Sequence, residues 1–168
     1  ALREAQARGA DADALARAGR LADAWGWPLH RPIVEASLKA GLPVRAANLG
    51  SADTRRIARA GALGAADAPL FDALAKADWS EERDRAMRAE ILDGHCGLLP
   101  ERAAPGMALA QRARDAALAQ SLLGANGAAI LIAGNGHVRR DLGVPAYLPS
   151  DAPVVSVGFV EIHGAAAD

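Results

Sequence analysis

The chain has 168 residues, a length that allows one domain with its own hydrophobic core. Its net charge is −1 and its arginines occur singly or in pairs, so the sequence has no basic face or tail of the kind that binds nucleic acid. No apolar run approaches the roughly 20 residues of a membrane helix, and the single cysteine, Cys96, excludes an internal disulfide. The sequence begins within a helical pattern and without an initiator methionine, so we expect residues to precede Ala1 in the natural protein.

The sequence predicts that most of the regular structure is helical, beginning near the N-terminus. Apolar residues at helical spacing predict a first helix with a stripe formed by Leu15, Ala18, Leu21, Ala22 and Trp25, and the Gly-Trp-Pro at 26–28 ends it. Further helices are predicted over 32–39, from Ser51 or Asp53 to Ala60, over 69–77, from Ser80 to Gly94, over 107–123, and as one turn over 138–142.

Three short segments rich in apolar residues are typical of β-strands. They cover residues 44–49, 128–133 and 153–162, and turn-forming residues flank them. Strands that alternate with helices favour a parallel sheet with helices on its faces. The predicted fold class is therefore α/β, with a mainly parallel sheet flanked by helices, in a single domain.

A Gly-Asn-Gly-His sequence follows the second predicted strand. Ligands of open α/β sheets bind beyond the carboxyl ends of the strands. Asn48 ends the first predicted strand and His137 follows the second, so both are expected at the same edge. Gly134 and Gly136 allow a sharp turn and close approach of a ligand. The alternative is a structural turn whose histidine caps backbone groups.

The residues after His137 carry charges suited to a binding site. Asp141 lies four residues on, a spacing that on a helical turn lets a carboxylate orient a metal-ligating or catalytic imidazole. Arg139 and Arg140 have the forked donors that bind an anionic group. A further polar face on the long helix could support the site from beneath, or form a solvated network of its own; it consists of Gln111, Arg114 and Asp115.

Four more residues are candidates. His95 and Cys96 lie between glycines, and such a pair can ligate iron or zinc, although the further ligands of a zinc site are missing at the usual spacings; the alternative is a glycine turn with a small buried thiol. His30 follows two tryptophans and could line a flat apolar pocket or belong to a packed core. Tyr147, the only tyrosine, comes soon after His137.

Together these stretches resemble the ChaN family of haem-binding uptake proteins in the Tiki superfamily. The resemblance rests on HCGLLPERAAPGMALAQRARDAALAQSLL followed by AILIAGNGHVRRDLGVPAYL, and WGWPLHRPIVEASLKAGLPVRAANL supports it upstream. It covers the chain from about Trp25 to Glu161. The ordered set of HCG, AQ..RD, GNGH and GVP makes the resemblance fairly specific.

The resemblance implies an α/β domain that binds haem, often as a dimer, with a tyrosine on the iron and basic side chains on the haem carboxylates. It implies a role in bacterial iron and haem uptake, in the periplasm or at a membrane, with membrane association through a segment outside this chain. On this interpretation His137 is a metal ligand and haem contacts come from His30, Asn48, His95, His137, Arg139, Arg140 and Tyr147. The supporting residues are Gln111, Arg114, Asp115 and Asp141.

Two departures from the family pattern affect these expectations. The Gly-Glu-x-His-Asp-type motif of the family's first strand is missing, so we expect this chain to be the larger C-terminal part of the domain, lacking its N-terminal strand. His30 occupies a position where family members tend to have tyrosine, but imidazole is also a good axial haem ligand. The superfamily also contains metal-dependent hydrolases and erythromycin-esterase-like proteins with paired Gly-x-x-His motifs, and Gly134 to His137 matches the second. The alternative function is therefore a hydrolase with a divalent metal ion.

Overall fold

The computed structural model describes residues 1–21 and 26–159. Within them the regular structure is helical, and none of the helices is long and apolar enough to cross a membrane. The helices are α1 (Leu2–Ala7), α2 (Ala12–Gly19), α3 (Arg31–Lys39), α4 (Ser51–Ala60), α5 (Ala68–Lys76), α6 (Glu81–Gly94), α7 (Ala104–Leu123) and α8 (Asn135–Val138). Short 3₁₀ turns lie at Ala65–Asp67, Glu101–Ala103 and Val144–Tyr147. The chain divides into two compact units, Ala1–Ala47 and Asn48–Asp168.

The first unit packs α1, α2 and α3 around Leu15. That side chain is fully buried, and it forms a small core with Ala5, Ala12 and Val34. The helix α2 begins where the Asp11 carboxylate accepts a hydrogen bond from the backbone N–H of Ala14. Alanine supplies much of this core, so each helix buries little apolar area.

The second unit is organised around α7, against which α4, α5 and α6 pack. One face of α7 consists mainly of buried small residues, which lets the neighbouring helices approach closely. At Gly106 the backbone of α4 lies so near that an added Cβ would overlap the carbonyl oxygen of Ala58. On the α6 side, Met87, Ala108 and Leu142 form a second buried cluster. The long helix α7 is therefore the scaffold of this unit.

Most helix predictions are confirmed. The helix α6 begins after Ser80, whose hydroxyl accepts from the N–H of Arg83 at 3.2 Å. The helix α4 ends at Gly61, which adopts a left-handed conformation with φ of 61°. The predicted turn over 138–142 lies earlier, because α8 covers Asn135–Val138. Two residues of the apolar stripe predicted for the first helix, Ala22 and Trp25, lie outside the described residues.

The predicted parallel sheet, and with it the α/β fold class, is wrong. The described residues form no strand, and segments 44–49, 128–133 and 153–159 are neither helical nor paired; residues 160–162 lie outside the described part. Ile130, expected in an interior strand, is 88% exposed, as is Val155. A strand requires a neighbour to complete its ladder of hydrogen bonds, and an apolar run does not specify that neighbour. The observed fold is all-α.

Candidate functional site

His137 lies on the four-residue helix α8 and is almost fully buried, with 6% of its surface exposed. The helix follows Gly134, whose carbonyl accepts from the N–H of His137 at 2.9 Å. After α8 the chain folds back tightly at Gly143. A Cβ there would overlap the carbonyl oxygens of His137 and Arg139, so only glycine fits. This tight turn holds the imidazole of His137 close to α7.

Asp115, on α7, is the residue that holds His137. Its Oδ1 lies 2.5 Å from His137 Nδ1, and the Asp115 side chain is completely buried. Because a carboxylate only accepts hydrogen bonds, we assign a proton to Nδ1, and in the neutral imidazole the lone pair is then on Nε2. Burial raises the pKa of Asp115, and the hydrogen bond from His137 acts against that rise.

The outer nitrogen of His137 remains available. Nε2 has no hydrogen-bond partner among the described residues. The His137 side chain as a whole is 8% exposed, whereas the unpaired Oδ2 of Asp115 is fully buried. A histidine held through Nδ1 by a carboxylate, with a free Nε2, is a common arrangement at metal and haem sites and for a general base.

A polar network extends from this pair along α7. Gln111 Nε2 lies 3.1 Å from His137 Nδ1. Arg114 Nη1 donates to Gln111 Oε1 at 3.1 Å, which fixes the orientation of the amide, and Arg114 Nε donates to Asn48 Oδ1 at 3.2 Å. Burial lowers the pKa of the Arg114 guanidinium. Thus the structure links Asn48 to His137 through side chains of α7 rather than along the edge of a sheet.

The expected contact between Asp141 and His137 is wrong. Asp141 instead accepts from Arg139 at 3.0 and 2.6 Å, and this guanidinium lowers its pKa. The helix α8 ends at Val138, so residues 137 and 141 do not share a helical turn. Arg139 also pairs with Glu90, which leaves its charge compensated.

Arg140 is less engaged than Arg139. Its only hydrogen bond among the described residues is a long one of 3.5 Å to the carbonyl oxygen of Val154. Of the two arginines predicted to bind an anion, Arg140 is therefore the one whose donors are available.

Tyr147 packs against α7 and against Trp79, which precedes α6. Its ring stacks on Trp79 with a centroid separation of 6.0 Å, and its hydroxyl accepts from Arg112 Nε at 3.2 Å. The Arg112 guanidinium also lies 4.3 Å from the centroid of the Trp79 ring. Burial raises the pKa of Tyr147 to about 12, so the phenolate form that binds ferric iron is disfavoured in this conformation.

His95 takes no part in this network. His95 is exposed at the end of α6, with Nδ1 2.6 Å from the carbonyl oxygen of Ile91, and exposed Cys96 follows it. No hydrogen bond in the described chain links His95 to His137. His30 precedes α3 in the first unit. Within the described residues, no group of three or more metal-ligating side chains occurs.

A pocket of about 390 Å³ lies beside α8, and the sequence did not predict that Glu90 and Gly158 line it. It is lined by Glu90, Asn135, Gly136, Val138, Arg139 and Gly158. Asn135 donates to the carbonyl oxygen of Phe159 at 2.5 Å, so segment 153–159 passes next to α8. Glu90 is 49 residues from its partner Arg139, and no spacing rule in the sequence signals such a contact.

Comparison with known proteins gives one match. The family model described as haem-binding uptake, Tiki superfamily, ChaN matches residues 1–148. The chain belongs to this family. The suspected resemblance is therefore confirmed, and the matched part of this ChaN-family chain includes α1 to α8 and the pair of Asp115 and His137. No curated protein and no solved structure matches the chain.

Proposed function

We propose that this chain binds haem and serves bacterial haem and iron uptake. Membership of the ChaN family over residues 1–148 supports the general role. The observation that carries the proposal is the buried pair of His137 and Asp115, in which Nε2 of the imidazole has no hydrogen-bond partner among the described residues. Following the family pattern, we further propose a location in the periplasm or at a membrane, and a homodimer as the working form.

The residues around His137 fit the requirements of haem. Because the porphyrin supplies four nitrogen ligands to the iron, the protein needs to add only one or two. A single available imidazole therefore suffices for haem, whereas a structural or catalytic zinc site needs three or four protein ligands. That the described residues contain no larger ligand cluster fits haem better than a metal ion held by the protein alone. His137 would be the iron ligand.

Apolar surface and a cation complete the fit. Phe159 is 84% exposed and Val157 is 59% exposed, and both lie in the segment that passes next to α8. Exposed apolar side chains beside a pocket are typical of a ligand-binding surface, and these would cover part of the porphyrin. Arg140 would bind a haem carboxylate, because the charge of Arg139 is already compensated by Asp141 and Glu90.

A haem titration followed by the Soret band tests the proposal. The informative variant is His137→Asn, because asparagine places an N–H near the position of Nδ1 and can still donate to Asp115, yet it has no counterpart of Nε2. We expect the wild type to shift the Soret band at equimolar haem and His137→Asn to bind at least about tenfold more weakly, since loss of a supporting carboxylate alone costs 10- to 100-fold.

His95→Asn is the matched control, because His95 is an exposed imidazole with no hydrogen bond to the site. It should bind haem as the wild type does. A wild-type protein that produces no Soret shift would refute haem binding. Equal affinity of His137→Asn and wild type would remove His137 as the iron ligand.

A second candidate is hydrolysis with His137 as general base. The hydrogen bond from Nδ1 to Asp115 favours it, since the same contact orients the base of many hydrolases. A generic nitrophenyl ester, assayed with and without added zinc or manganese, tests it. Turnover that is lost in His137→Asn and retained in His95→Asn would support the hydrolase, and turnover that is equal in both would exclude His137 as its base.

A further inference from the structure

A second pocket lies between the start of α6 and the middle of α7, and we propose that it binds a small organic carboxylate with an aromatic body. Its volume is about 490 Å³, within the range of small-molecule sites. The side chains that form its wall include Trp79, Glu81, Asp84, Arg85, Arg88 and Arg112. None of them belongs to the network around His137, so this inference goes beyond haem binding and does not depend on it.

The half-buried Arg112 is the residue that would bind the carboxylate. Its Nε donates to the hydroxyl of Tyr147 at 3.2 Å, and its guanidinium lies 4.3 Å from the centroid of the Trp79 ring. These contacts orient the guanidinium but leave Nη1 and Nη2 without a partner among the described residues. Burial raises the pKa of Tyr147 to about 12, so the hydroxyl is neutral and does not compensate the charge of Arg112. An oriented guanidinium with unused donors matches the two oxygens of a carboxylate.

The other charges of the pocket favour a singly charged ligand. Asp84 and Arg88 form an ion pair at 2.5 Å and compensate each other. Glu81 and Arg85 form no ion pair in the described part of the chain. The carboxylate of Glu81 therefore offsets one of the two uncompensated arginines, Arg85 and Arg112. About one positive charge remains, which a carboxylate balances and a phosphate dianion exceeds.

The geometry of the helices brings these groups together around an aromatic wall. Residues 81, 84, 85 and 88 lie on one face of α6, because their spacings of three, four and seven residues follow the helical repeat. Arg112 comes from α7, which packs against α6. Trp79 precedes α6 and is only half-buried, so part of its ring faces the pocket. An aromatic body on the ligand would pack against this ring.

NMR spectroscopy of the tryptophan indole N–H groups tests the proposal. The probes are sodium benzoate, sodium acetate and inorganic phosphate, each titrated into the protein at constant ionic strength. The Trp79 signal is identified by its loss in Trp79→Phe. We expect benzoate to shift this signal saturably and acetate to bind about twofold to tenfold more weakly, since acetate lacks the ring that contacts Trp79. Phosphate should also bind more weakly than benzoate.

Two variants should change the affinity for benzoate in opposite directions. Arg112→Gln should weaken it about tenfold or more, because it removes charge-assisted hydrogen bonds. Glu81→Gln should strengthen it about twofold to fivefold, because it removes a repulsive charge from an exposed position. Arg59→Gln is the matched control, since Arg59 is an exposed arginine of α4 outside the pocket, and it should bind benzoate as the wild type does.

The absence of a saturable shift of the Trp79 signal would overturn the proposal. Equal affinity of Arg112→Gln and wild type would also overturn it. Glu81 is exposed, so Glu81→Gln keeps the test informative if Arg112→Gln does not fold, and unchanged or weaker binding by Glu81→Gln would count against the site. Acetate that binds as tightly as benzoate would refute the aromatic ligand.

Discussion

Removal of the His137 side chain should destabilise the second unit strongly, because it leaves the buried carboxylate of Asp115 without its hydrogen-bond donor. The Asp115 side chain is completely buried, and its hydrogen-bonded partner at Oδ1 is His137. Breaking a buried pair by removing one partner costs about 3 to 5 kcal/mol, since the remaining charge keeps its desolvation penalty. We expect a loss of this size for His137→Ala, measured as the free energy of unfolding in urea by circular dichroism.

The companion variant His137→Asn separates the hydrogen bond from the ring. An amide N–H that still donates to Asp115 should recover at least half of the loss, because the buried carboxylate keeps a donor. His95→Ala is the control, and as an exposed side chain it should change stability by no more than about 0.5 kcal/mol. A cost of less than about 1 kcal/mol for His137→Ala would refute the reasoning, since it would mean that Asp115 is neutral or hydrated.

Three further predictions concern the scaffold. Gly106→Ala should cost about 1 to 3 kcal/mol by overlap with α4, whereas Gly94→Ala, where a Cβ meets nothing, should be tolerated in the same urea titration. Arg56 lowers the pKa of Asp67 in the folded protein. The stability that this ion pair contributes is therefore present above the pKa that Asp67 has in the unfolded chain, and it is lost as the pH falls through the pKa of Asp67 in the folded protein. Asp67→Asn should therefore flatten the acid limb of a plot of stability against pH, and an unchanged limb would contradict the pairing. Ser80→Ala should cost about 1 kcal/mol by removing the cap of α6, and Ser80→Asp should restore it in thermal unfolding.

The residues that could be predicted from sequence are those whose conformation depends on near neighbours. Ser80 begins α6 because its hydroxyl reaches a backbone N–H three residues ahead, and Gly61 ends α4 because glycine adopts the left-handed conformation at little cost. The motif ending in His137 was also recognisable, since the glycines that allow its turn are adjacent in the chain. These interactions span a few residues, so the local order of amino acids is enough to determine them.

Only the tertiary structure decided which distant groups meet. The sequence favoured Asp141 as the partner of His137, four residues away. The folded chain places Asp115 of α7 there, 22 residues away, and α8 ends at Val138, before it reaches Asp141. The apolar segment containing Ile130 was predicted as a strand, but a strand exists only beside another strand, and the described residues provide none. Pairing of this kind depends on how whole helices and segments pack, which local residue patterns do not encode.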